Sequence, residues 1–272
     1  MIDKSWFNVL SFLGVWTAIW LPIAWLISRK INWSPTEALT PKQKLILLAS
    51  LYALAPGIIW WRLHSESMSF AELGILSASA IWYILLGLGI SIVSLVLIFS
   101  GETALNLVTW QWHNLRQLNS LLLPILCLGL AISLIEELVF RGYILATLIT
   151  DSPIWLGAIA SSTIFALLHL VWEREETLPQ LPGLWLMGLV LVTARVLADD
   201  TIYLALGLHA GWIWGLTCID EANLVTYRYQ DHWFAGIKQQ PLAGVAGILC
   251  LGMTGAALWI GANFANFSVP GV

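Results

Sequence analysis

Two adjacent carboxyls, Glu136 and Glu137, precede Arg141 inside residues 130–148 (LAISLIEELVFRGYILATL), a run otherwise almost wholly apolar. On a helix Glu137 and Arg141 stand four apart and can pair. Glu136 lies about 100° further round, on a face that carries Gly129, Ser133 and Phe140. That face is narrow and partly polar, and it suits a cavity better than lipid. Two imidazoles also fall within apolar runs. His169 shares a helix face with Ser162, Phe165 and Ala166, and His209 shares one with Ala205, Trp212 and Ile213.

A buried carboxylate can take a proton from a water that attacks a carbonyl carbon. An imidazole N–H can steady that water or the developing oxyanion, a role worth about 2.7–4 kcal/mol for a well-placed donor. One Glu and two His are also the ligand set of a thermolysin-like zinc site. The chain has no HExxH, and the ligands would come from three helices, so zinc is possible but not signalled and no cofactor is expected. Two further readings use the same residues. The charges can form a buried ion network that fixes helix packing, or a transporter's proton relay. A transporter is expected to show an inverted repeat and paired broken helices, and the sequence has neither.

An ionisable residue at the centre of a bilayer costs roughly 2.5–3.5 kcal/mol on insertion scales, so the elements that hold these groups must enclose them. The 272 residues are 59% hydrophobic and only 10% charged, which places the chain among integral membrane proteins. A net charge of −4 with scattered signs leaves no basic stripe for nucleic acid. Cys127, Cys218 and Cys250 lie in apolar runs and read as small core residues. The seventeen tryptophans suit interfacial belts.

The apolar runs predict an all-α, polytopic transmembrane bundle of about eight spans, at 6–27, 45–61, 75–99, 121–149, 154–172, 184–197, 202–218 and 242–262. The first is too long for a signal-peptide core and has no A-x-A-like cleavage site, so it reads as a span. Residues 101–118, with apolar Leu105, Val108, Trp112 and Leu115 among polar neighbours, predict an amphipathic helix lying in the interface. Arg195 is expected to pair with Asp199, and Asp199-Asp200-Thr201 to cap the seventh span. With eight spans both termini share a side. Placing the basic loop from Arg29 to Lys44 in the cytoplasm gathers eight of twelve Lys and Arg there and sets the termini outside.

Glu136-Glu137-x-x-x-Arg141, then Phe165-x-x-x-His169, then the histidine of His209-Ala210-Gly211-Trp212 resemble the CPBP family. This is the family of CAAX type II prenyl proteases and bacteriocin-processing enzymes, also called Abi proteins. The resemblance covers about 121–218. It divides the chain into N-terminal spans (1–120, with the interfacial helix), a catalytic core (121–218), and a loop with the last span (219–272).

The resemblance implies a multi-pass intramembrane endopeptidase of the glutamic type, in the plasma membrane if the source is prokaryotic. Its partners would be the lipid bilayer and a peptide or protein substrate, membrane-associated or lipid-modified. By matching position Glu136 would activate the water, and Glu137, Arg141 and Phe165 would support the site. His169 and His209 would bind water or the oxyanion. Members of the family have been called metalloproteases, but a Glu base with His donors completes the hydrolytic roles without a metal. The family's last motif is usually HxxxN, and here Ile213 stands four after His209. Trp212, on nearly the same face, offers an indole N–H in its place. The departure keeps a second expectation open, a catalytically inactive membrane partner or scaffold with the protease fold.

Overall fold

In bilayer hydrocarbon every backbone N–H and C=O must be satisfied within the protein, which leaves long apolar runs no option but helix. A computed structural model of the protein describes residues 4–34, 39–172 and 174–267. Among them are eight long helices: α1 (Lys4–Lys30), α2 (Pro41–Glu66), α3 (Ala80–Ala104), α4 (Leu115–Glu136), α5 (Ile154–Leu168), α6 (Leu181–Leu197), α7 (Tyr203–Glu221) and α8 (Val245–Phe267). α4 runs on without a break through a π-helical stretch, Glu137–Ile144, and a last α-turn, Leu145–Leu148.

Each of the eight expected spans falls on one of these helices. Six segments are long and apolar enough to cross a membrane: α1, α2, α3, Trp112–Leu148, Ile154–Val171 and Arg174–Leu197. The outer surface agrees, since Phe7, Leu85, Trp82, Leu123, Trp155 and Trp259 all stand exposed. This is an integral membrane protein. Glu173, between the fifth and sixth expected spans, lies outside the described residues.

The second half of α4 is the centre of the bundle. Residues 139–148 are all buried, whereas Leu123, Leu128 and Leu134 of its first half are exposed. α1 and α2 are tied to this centre by one buried arginine. Arg62 of α2 pairs with Glu66 at 2.5 Å, donates to Tyr143 Oη (3.0 Å), and reaches the Asn8 carbonyl and Ser11 Oγ of α1. The start of α2 is set by a reciprocal cap in which Thr40 Oγ1 accepts from the Gln43 amide and Gln43 Oε1 from the Thr40 amide.

On the other side α7 lies backbone to backbone against α3. A Cβ on Gly87 would collide with the Leu204 carbonyl, and one on Gly207 with the Ile84 carbonyl, so this approach requires glycine on both helices.

Three local expectations are corrected. Residues 101–118 do not form an interfacial helix. α3 ends at Ala104 as Asn106 turns left-handed (φ 56°), and Val108–Trp110 becomes β1, paired antiparallel with β2 (Val225–Tyr227). Val, Thr and Trp suit a strand, and Leu105, Trp112 and Leu115 stand exposed rather than sharing a buried stripe.

Arg195 does not pair with Asp199. It donates to the carbonyls of Gly142, Glu72 and Asp200, while Asp199 accepts from Tyr83 Oη at 2.7 Å. Left-handed backbone at Asp199 and Asp200 (φ 53° and 57°) carries the chain away from the arginine's own helix. The same turn removes the expected cap. α7 begins at Tyr203 with no side-chain cap, and Thr201 Oγ1 bonds back to the Ala198 carbonyl.

Candidate active site

Three helices bring polar groups to one buried point, and a fourth packs an aromatic ring against them. α4 supplies Glu136 at the end of its α-helical part, and the π-helical stretch supplies Glu137 and Arg141. A π turn carries one extra residue and re-aims the side chains it contains, which is why such turns recur at functional sites. α7 supplies His209, α5 supplies Phe165 with His169 just past its C-terminal end, and α2 supplies Tyr52. Glu137, Arg141 and His209 are 0%, 1% and 3% exposed, so what they meet is protein rather than solvent.

Glu137 is the hub. Its Oε1 accepts from Arg141 Nη1 at 3.0 Å and from His209 Nδ1 at 2.8 Å. The pairing expected four residues along the helix is made. Arg141 also donates to the Gly188 carbonyl of α6 (3.3 Å), and its guanidinium lies over the Phe165 ring at 4.4 Å. With Nδ1–H committed to a carboxylate, His209 turns Nε2 toward Glu136. Nε2 stands 3.5 Å from Glu136 Oε2, an ion-pair distance longer than a good hydrogen bond. The other oxygen of Glu136, Oε1, accepts a hydrogen bond from Tyr52 Oη. Glu136 is thereby split: one oxygen is held, and the other is buried with no hydrogen-bond partner among the described residues.

Glu136 Oε2 and His209 Nε2 thus face each other at one buried point, an arrangement across which a carboxylate and an imidazole can pass a proton.

Phe165 joins the second imidazole to this cluster. Its ring is edge-on to His169 (4.6 Å) and His209 (5.9 Å). His169 is half-buried, and its Nδ1 faces the Phe165 carbonyl at 2.8 Å. A carbonyl only accepts, so Nδ1 carries the hydrogen and Nε2 is left as an acceptor. His169 makes no bond to Glu136, Glu137 or His209. Trp212 does not join the site: its indole N–H donates to Ser94 Oγ of α3 at 2.8 Å, because the residue faces α3 rather than α4. Among the described residues no group of three or more His, Cys, Asp and Glu is placed to hold a metal ion.

Tyr52 escaped sequence reasoning. It lies 84 positions from Glu136, in a span with no motif, and nothing local distinguishes its hydroxyl from an interfacial tyrosine's. Outside the spans, the exposed Glu72 carboxylate is held below its usual range by the Ser69 amide and hydroxyl. That turn presents the Glu72 carbonyl to Arg195.

The fold and the site define an integral membrane helical protein built around a buried carboxylate–imidazole cluster. Residues 118–215 match the family described as Rce1-like, type II CAAX prenyl endopeptidase, in keeping with the CPBP resemblance of the motifs. The matched stretch holds every member of the cluster except Tyr52. It supports an enzyme of the CAAX-protease type, embedded in the membrane and acting on a peptide. No curated protein and no solved structure matches the chain.

Proposed function

We propose that the protein is a multi-pass intramembrane endopeptidase that hydrolyses a peptide bond of a membrane-associated or lipid-modified substrate, with Glu136 as general base. Its place would be the plasma membrane if the source is prokaryotic. The observation that carries this reading is the divided carboxylate of Glu136. One oxygen is fixed by Tyr52, and the other is buried, makes no hydrogen bond among the described residues and faces His209 Nε2 at 3.5 Å. A water bridging these two groups loses a proton to Glu136 Oε2 as its oxygen bonds to the scissile carbonyl carbon. His209, held through Nδ1–H by Glu137 and carrying a second proton on Nε2 in this state, then donates that Nε2–H as a hydrogen bond to the oxyanion. Collapse breaks the C–N bond, and the proton on Glu136 passes to the leaving nitrogen. His169 Nε2 is assigned to binding water or substrate at the mouth of the site, and no cofactor takes part.

One observation favours a second reading. Ile213 is apolar and packs against Gly129, so α7 has no amide one turn after His209. A catalytically inactive partner of the same fold would tolerate that. The two readings separate when peptide termini of the membrane proteome are compared by mass spectrometry between cells carrying wild type and Glu136→Gln. Termini that vanish in the variant and return with the wild type support the protease and identify its substrate. Identical sets, with the variant present at normal levels, support the inactive partner.

A further inference from the structure

Most hydroxyls on these helices are tied back to a carbonyl one turn earlier, as Ser91 is to Leu88, Ser94 to Ser91, Thr193 to Leu189 and Thr254 to Cys250. Ser133 of α4, like Ser5 of α1 and Ser162 of α5, is not. Its side chain is wholly buried, and Oγ makes no hydrogen bond among the described residues. A buried hydroxyl left without a partner costs about 1–3 kcal/mol, so its retention calls for a group that arrives during function.

Its position says which group. Taking Gly129 as the reference direction, Glu136 lies about 20° to one side, Ser133 about 40° and Glu137 about 80° to the other. The Gly129 direction faces α7: a Cβ there would lie 3.2 Å from the Ala210 carbonyl and 3.6 Å from Ile213 Cγ2. Further along α4, Glu136 and Glu137 meet His209. Ser133 falls between these two contacts in height and between the two glutamates in direction, opposite the turn of α7 from His209 to Ile213. Beyond His209 itself, that turn of α7 presents an isoleucine to α4 and no further side-chain donor, since the Trp212 N–H is spent on Ser94. α4 presents the unused O–H.

We infer that Ser133 is a further catalytic residue, donating its hydroxyl hydrogen to the oxygen that becomes negative as water adds to the scissile carbonyl. The inference rests on the protease reading above. A merely structural Ser133, small so that α4 and α7 can close, would be replaced by alanine without effect.

The test uses purified protein in liposomes and a synthetic peptide spanning a cleavage site that is lost in Glu136→Gln cells. Ser133→Ala is expected to lower kcat by about 10²-fold with little change in KM, as removal of an oxyanion donor does. Ser133→Thr, which keeps the hydroxyl, should retain most of the rate. In the Ser133→Ala background, Ile213→Asn supplies an amide from the opposite helix and should recover about tenfold. Wild-type kcat in Ser133→Ala, with Glu136→Gln inactive, overturns the inference and leaves the protease reading intact. If Glu136→Gln cleaves as the wild type does, both fall.

Discussion

In the proposed mechanism one hydrogen bond, from Tyr52 to Glu136, decides which carboxylate oxygen does the chemistry. A carboxylate has two equivalent oxygens until a donor claims one of them. With Oε1 held by Tyr52, Oε2 is the oxygen presented to His209. A hydrogen bond to an ionised group is worth about 1.5–3 kcal/mol, so Tyr52→Phe should slow peptide cleavage by roughly ten- to a hundredfold while the protein accumulates normally. Steady-state kinetics check this, and an unchanged kcat would leave the tyrosine a packing residue. Glu136, Glu137, Arg141 and His209 were legible in the sequence because charges inside apolar runs are anomalous wherever they sit. Tyr52 was not, since a tyrosine in a span is ordinary and its partner is 84 positions away. Trp212 was misjudged for a related reason. Helical spacing gave its angle on α7 but not which neighbour waits there, and that neighbour is Ser94 of α3.

The helices that carry these side chains are placed by features of different legibility. Eight apolar runs announced eight helices, and their order followed directly. The π-helical stretch Glu137–Ile144 had no sequence signal, because it arises where a continuous helix packs on all sides and local register yields to packing. The strand pair β1–β2 was hidden likewise, since its two halves are more than a hundred positions apart and only pairing makes either a strand. The α3–α7 contact makes a firm prediction. Gly207 stands two residues before His209, and a Cβ there meets backbone rather than a movable side chain. Gly207→Ala should therefore push α7 from α3, cost about 1–3 kcal/mol through overpacking, and lower cleavage by displacing His209. Thermal unfolding in detergent and the cleavage rate should fall together. A fall in stability with an unchanged rate would uncouple this contact from the site.

For the molecule as a whole, the Arg62 cluster joins α1 and α2 to the buried half of α4. It binds together elements that lie outside the matched stretch and elements within it. Removing one partner of a buried ion pair leaves the other uncompensated, typically at about 3–5 kcal/mol. Arg62→Met is expected to lower the melting temperature in detergent, and Arg62→Met with Glu66→Gln to recover part of the loss. If the double variant is no more stable than the single one, the ion pair is not what holds α1 and α2 in place. The site is thus enclosed by helices whose own sequences carry no catalytic motif.

The decisive measurement is the rate at which purified protein in liposomes cleaves a peptide spanning its own cellular cleavage site, wild type against Glu136→Gln. Gln keeps the shape and the contact with Tyr52 while removing the base. The proposed mechanism predicts a wild-type rate that the variant loses by about 10³-fold or more, given that general-base catalysis contributes roughly 10²–10⁴-fold. Equal rates in the two proteins would contradict it, since no other residue of the cluster could then be waiting on Glu136.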